Sequence, residues 1–481
     1  MTRRLASRMD RFFQVREQGG SFRGEVIGGV TTFLTMAYII VVQPAVLSGV
    51  MFGLSTGIDF GAVMTATCLS AALATALMGL YARYPIALAP GMGENFVFVF
   101  SLLPAAAALP AVASGRTTAW AVGLGVMLIA GVLFFLLSLT GFRHRLMDAL
   151  SPSLKSAMAA GIGLFIAFIG LQNAGVIVKD PGTAVRLNPH LASPDLVVFF
   201  VGLFLMAVLQ ARRVRGAILW GMAGAGALAW LLQAVLSAMP ALAATDLVRD
   251  SALMRQFAPP AGVMALPPSL GPTFLKADLG AACTWHLVPF IVIFLFMDLF
   301  DTLGTLVGVC EQGGFSRNGR VPRAERVLLV DAAGTVVGAA LGTSTVTSFI
   351  ESAAGVEQGA RTGLANLVTA ALFLLALFFE PVVRVVGAYA PITAPALVVV
   401  GALMLRNAVN VDWTDVTEAV PAFLVLVGIP FSYSIADGLA LGFISYPAIK
   451  VFSGRGRETG WLTVGLGLLL LAYFIAIRSR V

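Results

Sequence analysis

From residue 26 to residue 477 this sequence is an almost unbroken succession of apolar runs, each about as long as a bilayer is thick. A helix needs ~20 apolar residues to cross the hydrocarbon core. Runs of about that length recur at about 26–50, 60–82, 86–104, 119–141, 152–174, 195–211, 216–237, 285–309, 327–342, 343–357, 361–380, 390–407, 416–431, 434–452 and 460–477. Charged residues make up only 11% of the 481 and hydrophobic residues 58%, whereas a water-soluble domain is nearer a quarter charged. The reading is an all-α polytopic membrane protein with fourteen transmembrane segments and one extra C-terminal hydrophobic segment. The polar N-terminus up to Arg23 carries no cleavage-site pattern, so the first apolar segment is expected to act as its own insertion signal.

The chain has a net charge of +7 and a pI near 9.7. The placement of its basic residues reads as topology, not as a nucleic-acid footprint. With the N-terminus inside, 22 of the 31 Lys and Arg residues fall in inside loops and seven in outside loops, with Arg478 and Arg480 beyond the last segment. By the positive-inside rule this places the N-terminus in the cytoplasm of a cell with the protein in its inner (plasma) membrane. Cys68, Cys283 and Cys310 have no metal-like spacing. The three histidines, His144, His190 and His286, lack partners at ligand spacing, so neither metal nor cofactor is expected. No nucleophile–base motif, metalloprotease motif or phosphate loop is present, which argues against an enzyme.

The segments divide seven and seven: segment 1 starts inside and segment 8 starts outside, as expected of two inverted repeats. The longest extramembrane stretch, about 238–284, lies between them. Each half carries an interrupted third segment: PIALAPGMGENFVFVF (Pro85–Phe100) and ALGTSTVTSFIESAAG (Ala340–Gly355). Interrupted segments at matching places are the best sequence pointer to a secondary transporter's midplane site.

Acids stranded in lipid-like sequence mark the same region, since an ionisable group at membrane depth is costly unless it pairs or meets water. Asp298 and Asp301 stand three apart on one helix face. Glu351 follows the hydroxyl run Thr343, Ser344, Thr345, Thr347 and Ser348 and is placed to accept N–H donors from a small heterocycle. Asn95 offers donor and acceptor together. Thr343, Ser344 and Thr345 join Asn95, Asp298 and Glu351 as candidate substrate contacts. Asp298, Glu351 and Asp301 are the candidates for proton coupling. Asp331 is read as a helix–helix tie, and Glu94 as a structural polar group in the broken segment. For each acid the plain alternative is an ion pair, a cap or a packing hydrogen bond.

Six stretches carry a resemblance: Gly28–Ser48, Pro85–Phe96, Ala159–Ile177, Leu266–Gly280, Met297–Val309 and Gly342–Val368. They resemble the nucleobase:cation symporter-2 family, and within it the AzgA-like adenine/guanine/hypoxanthine branch. Glu94 stands where the branch is more often apolar, and Gln43 where an Asn is common. The resemblance implies short strands in segments 3 and 10 and substrate contacts at Asn95, Asp298 and Glu351. It implies a core domain in two parts (26–150 and 285–385) and a gate domain in two parts (151–240 and 386–453). An N-terminal cytoplasmic piece (1–25), an external inter-repeat loop (241–284) and the extra C-terminal segment (454–481) complete the division. The expected partners are a purine nucleobase, a proton and the lipid bilayer. A homodimer through the gate domain is an option among relatives of this fold. The function expected is proton-coupled uptake of adenine, guanine or hypoxanthine. A xanthine/urate or uracil permease of the same family is the alternative, ahead of an anion carrier of the same fold.

Overall fold

The computed structural model describes residues 9–140, 151–260, 262–315 and 321–476. His144, Arg143, Arg145, Arg317, Arg320, Arg478 and Arg480, all used above, lie outside the described residues, as do Arg3, Arg4 and Arg8. The order of the main elements is α1 (Phe22–Met36), α2 (Ile39–Leu47), α3 (Phe60–Leu77), β1 (Leu88–Pro90), α4 (Met92–Val97) and α5 (Ala119–Thr140). Then come α6 (Pro152–Asn173), β2 (Ile177–Asp180), β3 (Ala184–Leu187), α7 (Pro194–Ala211) and α8 (Ala217–Ser237). The second half has α9 (Val288–Gly313), α10 (Ala324–Leu341), β4 (Val346–Ser348), α11 (Ser352–Glu357), α12 (Leu364–Ala376) and α13 (Glu380–Ala388). It ends with α14 (Ala390–Leu405), α15 (Val416–Ser432), α16 (Ile435–Phe452) and α17 (Trp461–Ala476).

Among the described residues, 10 helical spans are long and apolar enough to cross a membrane, and Met92–Ala107, Val416–Ser432 and Thr463–Ala472 are shorter apolar helices. The difference from the fifteen runs read in the sequence has physical causes. Segment 9 forms α10, whose apolar character is diluted by Glu325, Arg326 and Asp331, and segment 10 is a strand and a short helix. Helix starts follow the sequence closely. Ser151-Pro152 and Ser193-Pro194 each place a serine at the cap, with its hydroxyl on a third-position N–H, and a proline at the first helical position. The loop after α6, by contrast, folds as a β2–β3 hairpin that the sequence reading left without structure.

The helices pack as two groups. In one, α1, α3, α5, α9, α10 and α12 surround the two strands; in the other, α6 packs on α14 and α15, α7 on α8 and α14, and α15 on α16. Where α6 and α14 cross, a Cβ on Gly163 or Gly401 would run into the other's carbonyl oxygen, so small residues let the backbones touch. Carboxylates tie helix ends in trans. Glu25 of α1 accepts the N–H groups of Arg361 and Thr362 at 3.0 Å each and of Ala365 at 3.1 Å, capping α12. Asp195 does the same at the other end of the molecule, holding the N–H groups of Ala252 and Leu253 at 2.8 Å and the Tyr389 hydroxyl at 2.6 Å.

The C-terminal helix α17 lies along α16 and also touches α9. Its approach is fixed by charge. Lys450, buried near the end of α16, meets Glu458 at 2.9 Å, Glu418 at 3.0 Å and Asp415 at 3.7 Å. Arg455 joins Asp415 and Glu458 at 2.7 Å each. The Thr417 hydroxyl and N–H, with Arg455 beside them, hold the Asp415 carboxyl down at about 2. Removing the cation leaves three acids facing one another. Lys450→Ala is expected to cost on the order of 2–3 kcal/mol, less than a fully buried pair because Glu458 is half exposed. Thermal unfolding of the detergent-purified protein measures it, with Lys450→Arg as the milder control.

Candidate functional site

The two broken segments meet as an antiparallel ribbon. Leu88 lies opposite Ser348, Ala89 opposite Thr347 and Pro90 opposite Val346. Pro85 and Pro90 disfavour helix in one segment, and the hydroxyl-rich, β-branched run Thr343–Ser348 favours extended backbone in the other. The pairing continues past the strands, with Gly91 N–H on Thr345 O and Phe349 N–H on Ala87 O, both at 2.9 Å.

A two-stranded ribbon has two free edges, and at membrane depth no lipid can satisfy them. Hydroxyls do it instead. Thr75 Oγ1 accepts from Leu88 N–H and donates to Leu88 O, each at 2.9 Å. Ser352 Oγ accepts from Ala87 N–H at 2.9 Å, Thr335 Oγ1 from Val346 N–H at 3.2 Å and Thr302 Oγ1 from Ser348 N–H at 3.3 Å. Each strand then runs into a short helix, α4 after β1 and α11 after β4. At Gly91 a side chain would occupy the space filled by the Glu94 carboxylate, which folds back over the start of α4. On the other helix, Gly355 of α11 presses so closely on Gly28 of α1 that a Cβ on it would meet the Gly28 carbonyl at 2.6 Å.

The four acids divide into two settings. Asp298 is 1% exposed and lies behind β4, with its Oδ2 accepting from Thr335 Oγ1 at 2.7 Å. Asp331, fully buried on α10, accepts on Oδ1 from Thr302 at 2.5 Å and from Ser348 Oγ at 3.2 Å. Asp298 Oδ1 and Asp331 Oδ2 have no donor among the described residues, and the two carboxyl groups are within hydrogen-bonding reach of each other. Asp301, one turn along α9, is exposed and takes a hydrogen bond from Thr347. Glu351 is half-buried and accepts from the Tyr38 hydroxyl at 2.8 Å. Around them the protein is open: a Cβ on Gly304 would meet nothing within 4 Å, and Ile350 is 51% exposed. Asp301 and Glu351 therefore border open space, the crevice, whereas Asp298 and Asp331 are sealed from it.

Asn95 lies in a third cluster, fully buried with Thr343, Ser344 and Thr345. Its amide donates to Gln43 Oε1 and its oxygen accepts from Ser344 Oγ. Gln43 Nε2 in turn donates to Thr343 and Ser344 at 2.8 Å each. Thr345 Oγ1 is buried with no partner among the described residues. On the far side of the ribbon from the crevice, toward the end where α9 begins, aromatic rings close the gap between the two helix groups. Phe100, on the continuation of α4, meets Phe165 of α6 at 5.9 Å and Tyr433 at 5.4 Å. Tyr433 also meets Phe165 at 5.4 Å, and Ser101 Oγ lies 3.4 Å from Ser434 Oγ.

Sequence reasoning missed Tyr38, Thr302 and Thr335, and gave no role to Gln43; all four hold the candidate groups in place. A polar residue in an apolar run was the only available signal, and many such residues in this chain merely pack. Thr335→Val keeps the shape but strands Asp298 Oδ2 and Val346 N–H. It is expected to cost on the order of 2–4 kcal/mol, read as thermal unfolding in detergent, with Thr335→Ser restoring most of it.

Sequence comparison gives the family, and structural comparison gives the fold. The model described as "Permease family" matches residues 23–441. The chain is 42% identical over 475 residues to the guanine/hypoxanthine permease PbuG of Bacillus subtilis, covering 98% of this chain and 100% of that one. It is 37% identical over 473 residues to the adenine permease AdeP of Escherichia coli, covering 98% and 97%. The nucleobase transporter PlAzg2 of Paenibacillus larvae is 31% identical over 425 residues, with 88% and 77% covered. Among solved structures, the transmembrane domain of the cyanobacterial bicarbonate transporter BicA matches with a TM-score of 0.60 at 14% identity, over 87% of this chain and 97% of that one. At that identity the likeness is one of fold. These relatives are permeases and not enzymes, and the chain belongs to the nucleobase:cation symporter-2 family of multi-pass membrane permeases, in its AzgA-like adenine/guanine/hypoxanthine branch.

Proposed function

We propose that this chain takes up purine nucleobases together with protons across the inner (plasma) membrane, with its N-terminus in the cytoplasm. In this reading the fourteen segments form two inverted sevens. The helix group around the ribbon is the core domain, and the group built on α6, α7, α8, α14, α15 and α16 is the gate. The observation that carries it is the pair of carboxylates, Asp301 and Glu351, on the wall of a crevice beside a strand ribbon. Two acceptors there suit the ring N–H and exocyclic amino groups of a neutral purine. They would repel an anion, and neither broken segment holds an Arg or Lys to attract one.

In this reading the roles of the acids divide. Glu351 is the principal purine acceptor, and Asp301 stands beside it. Asp298, behind β4, is assigned to the proton and not to the purine. Asn95, with Thr343 and Ser344, contacts substrate when the Gln43–Asn95–Ser344 cluster opens; in the present state that cluster satisfies itself. In this reading the crevice opens toward the cytoplasm, the side on which most of the basic residues fall. The Phe100–Phe165–Tyr433 contact closes the outer side, so the conformation is inward-facing. Movement of core against gate exchanges the two openings.

The direct test is uptake of labelled adenine, hypoxanthine and guanine in cells lacking their own permeases, with and without a protonophore. Uptake is expected to rise as the outside is made more acidic and to collapse with the protonophore; uptake indifferent to the gradient rules out coupling. Glu351→Gln is expected to weaken purine binding about tenfold to a hundredfold, the loss of one charge-assisted hydrogen bond. Near-normal affinity in that variant removes Glu351 from the site. The outer closure has its own test. With cysteines at both Ser101 and Ser434, oxidation is expected to crosslink core to gate and stop uptake, and reduction to restore it. A crosslinked protein that still transports would show that this seam does not open.

A further inference from the structure

Behind the crevice a chain of hydroxyls connects the exposed acid to the buried ones. The Thr347 hydroxyl hydrogen-bonds Asp301 on one side and lies 2.8 Å from Thr302 Oγ1 on the other. Thr302 Oγ1 donates to Asp331 Oδ1 at 2.5 Å, and Asp331 adjoins Asp298. Thr302, Thr347 and Asp331 are fully buried. Each hydroxyl has one proton to give and lone pairs to accept another. The Ser348 N–H on Thr302 Oγ1, at 3.3 Å, holds that oxygen in line. We infer that Thr347 and Thr302 form a two-hydroxyl relay that carries the coupling proton between Asp301 on the crevice and the Asp298–Asp331 pair behind β4. This rests on the proton-coupled reading above and adds to it a storage place and a route.

The transfer balances. Asp301 in its acid form gives its proton to Thr347 Oγ1 while Thr347 gives its own to Thr302 Oγ1 and Thr302 gives its own to Asp331 Oδ1. Three O–H bonds break, three form, and one proton has moved from the crevice acid to the buried pair. Rotation of the two hydroxyls about their Cβ–Oγ bonds resets the chain. A proton held by the pair removes one of two like charges from a buried site, while Asp301 regains the charge that faces the purine. The route therefore links the charge on the crevice wall to the charge buried inside the core. The groups facing this system are Asp298, Asp301 and Asp331 themselves, Glu94 at the head of α4, and Glu351 near Asp301. On the gate side Lys155 of α6 lies 5.1 Å from the ring centroid of Phe300, the neighbour of Asp301.

The test uses the full-length protein in liposomes carrying a pH-sensitive dye inside, with purine binding measured separately on the same preparations. Thr302→Val and Thr347→Val are expected to lower purine-driven proton influx at least about tenfold, at the low end of what a lost proton-transfer partner costs. Purine affinity should fall far less than proton flux, and Thr302→Ser and Thr347→Ser should restore the proton flux. Intact coupling in both valine variants overturns the relay alone. Binding and proton flux falling together, with no rescue by serine, overturns it in favour of a purely structural role for the two hydroxyls. Purine uptake by the unaltered protein without any proton influx overturns the coupling reading itself. A second measurement needs no threonine variant. The infrared spectrum of the unaltered protein at neutral pH should show a protonated-carboxyl band that Asp331→Asn and Asp298→Asn each alter. Its absence overturns storage at the pair.

Discussion

The antiparallel pairing of two three-residue strands inside the membrane domain is the contact on which the rest of this structure depends. Extended backbone at that depth must find every hydrogen bond within the protein. The ribbon supplies some of them and leaves two edges to be filled. Thr75, Thr302, Thr335 and Ser352 fill those edges, and they come from α3, α9, α10 and the start of α11. Four elements are thus held in place by one need, and three of them, α9, α10 and the start of α11, carry or adjoin the acids.

The same hydroxyls have a second use. Thr335 faces the ribbon on one side and Asp298 on the other, and Thr302 bridges Ser348 N–H and Asp331. Satisfying the strand edges therefore also solvates the buried carboxyls, and it separates them from the crevice by the thickness of one strand. Asp298 and Asp301 sit on the same helix three residues apart, yet one is sealed and the other is open to the crevice. That difference comes from β4 lying over the first and not over the second.

Much of this was legible in the sequence. The membrane class, the helix starts at Ser151 and Ser193, the two interrupted segments and the acids near them follow from hydropathy, capping chemistry and proline placement. The division of labour among the acids was not legible. Spacing put Asp298 and Asp301 on one face but could not show which faced open space. Asp331 read as a tie between helices and is found next to Asp298, completing a pair. Gln43 read as a departure from a family pattern and is found joined to Asn95, Thr343 and Ser344. Residues of this kind act through partners some 300 positions away in sequence, and a one-dimensional pattern carries no information about such pairs.

The sequence by itself determined that the chain lives in lipid and that two of its apolar segments are interrupted. These follow from local properties: the transfer of apolar side chains, the cost of charge in hydrocarbon and the backbone limits of proline. Only the tertiary structure decided that the two interrupted segments pair with each other, which acids meet the crevice, and which hydroxyls connect them to the acids that do not. Those outcomes depend on distances between remote segments, and the need to satisfy every buried backbone group fixed them.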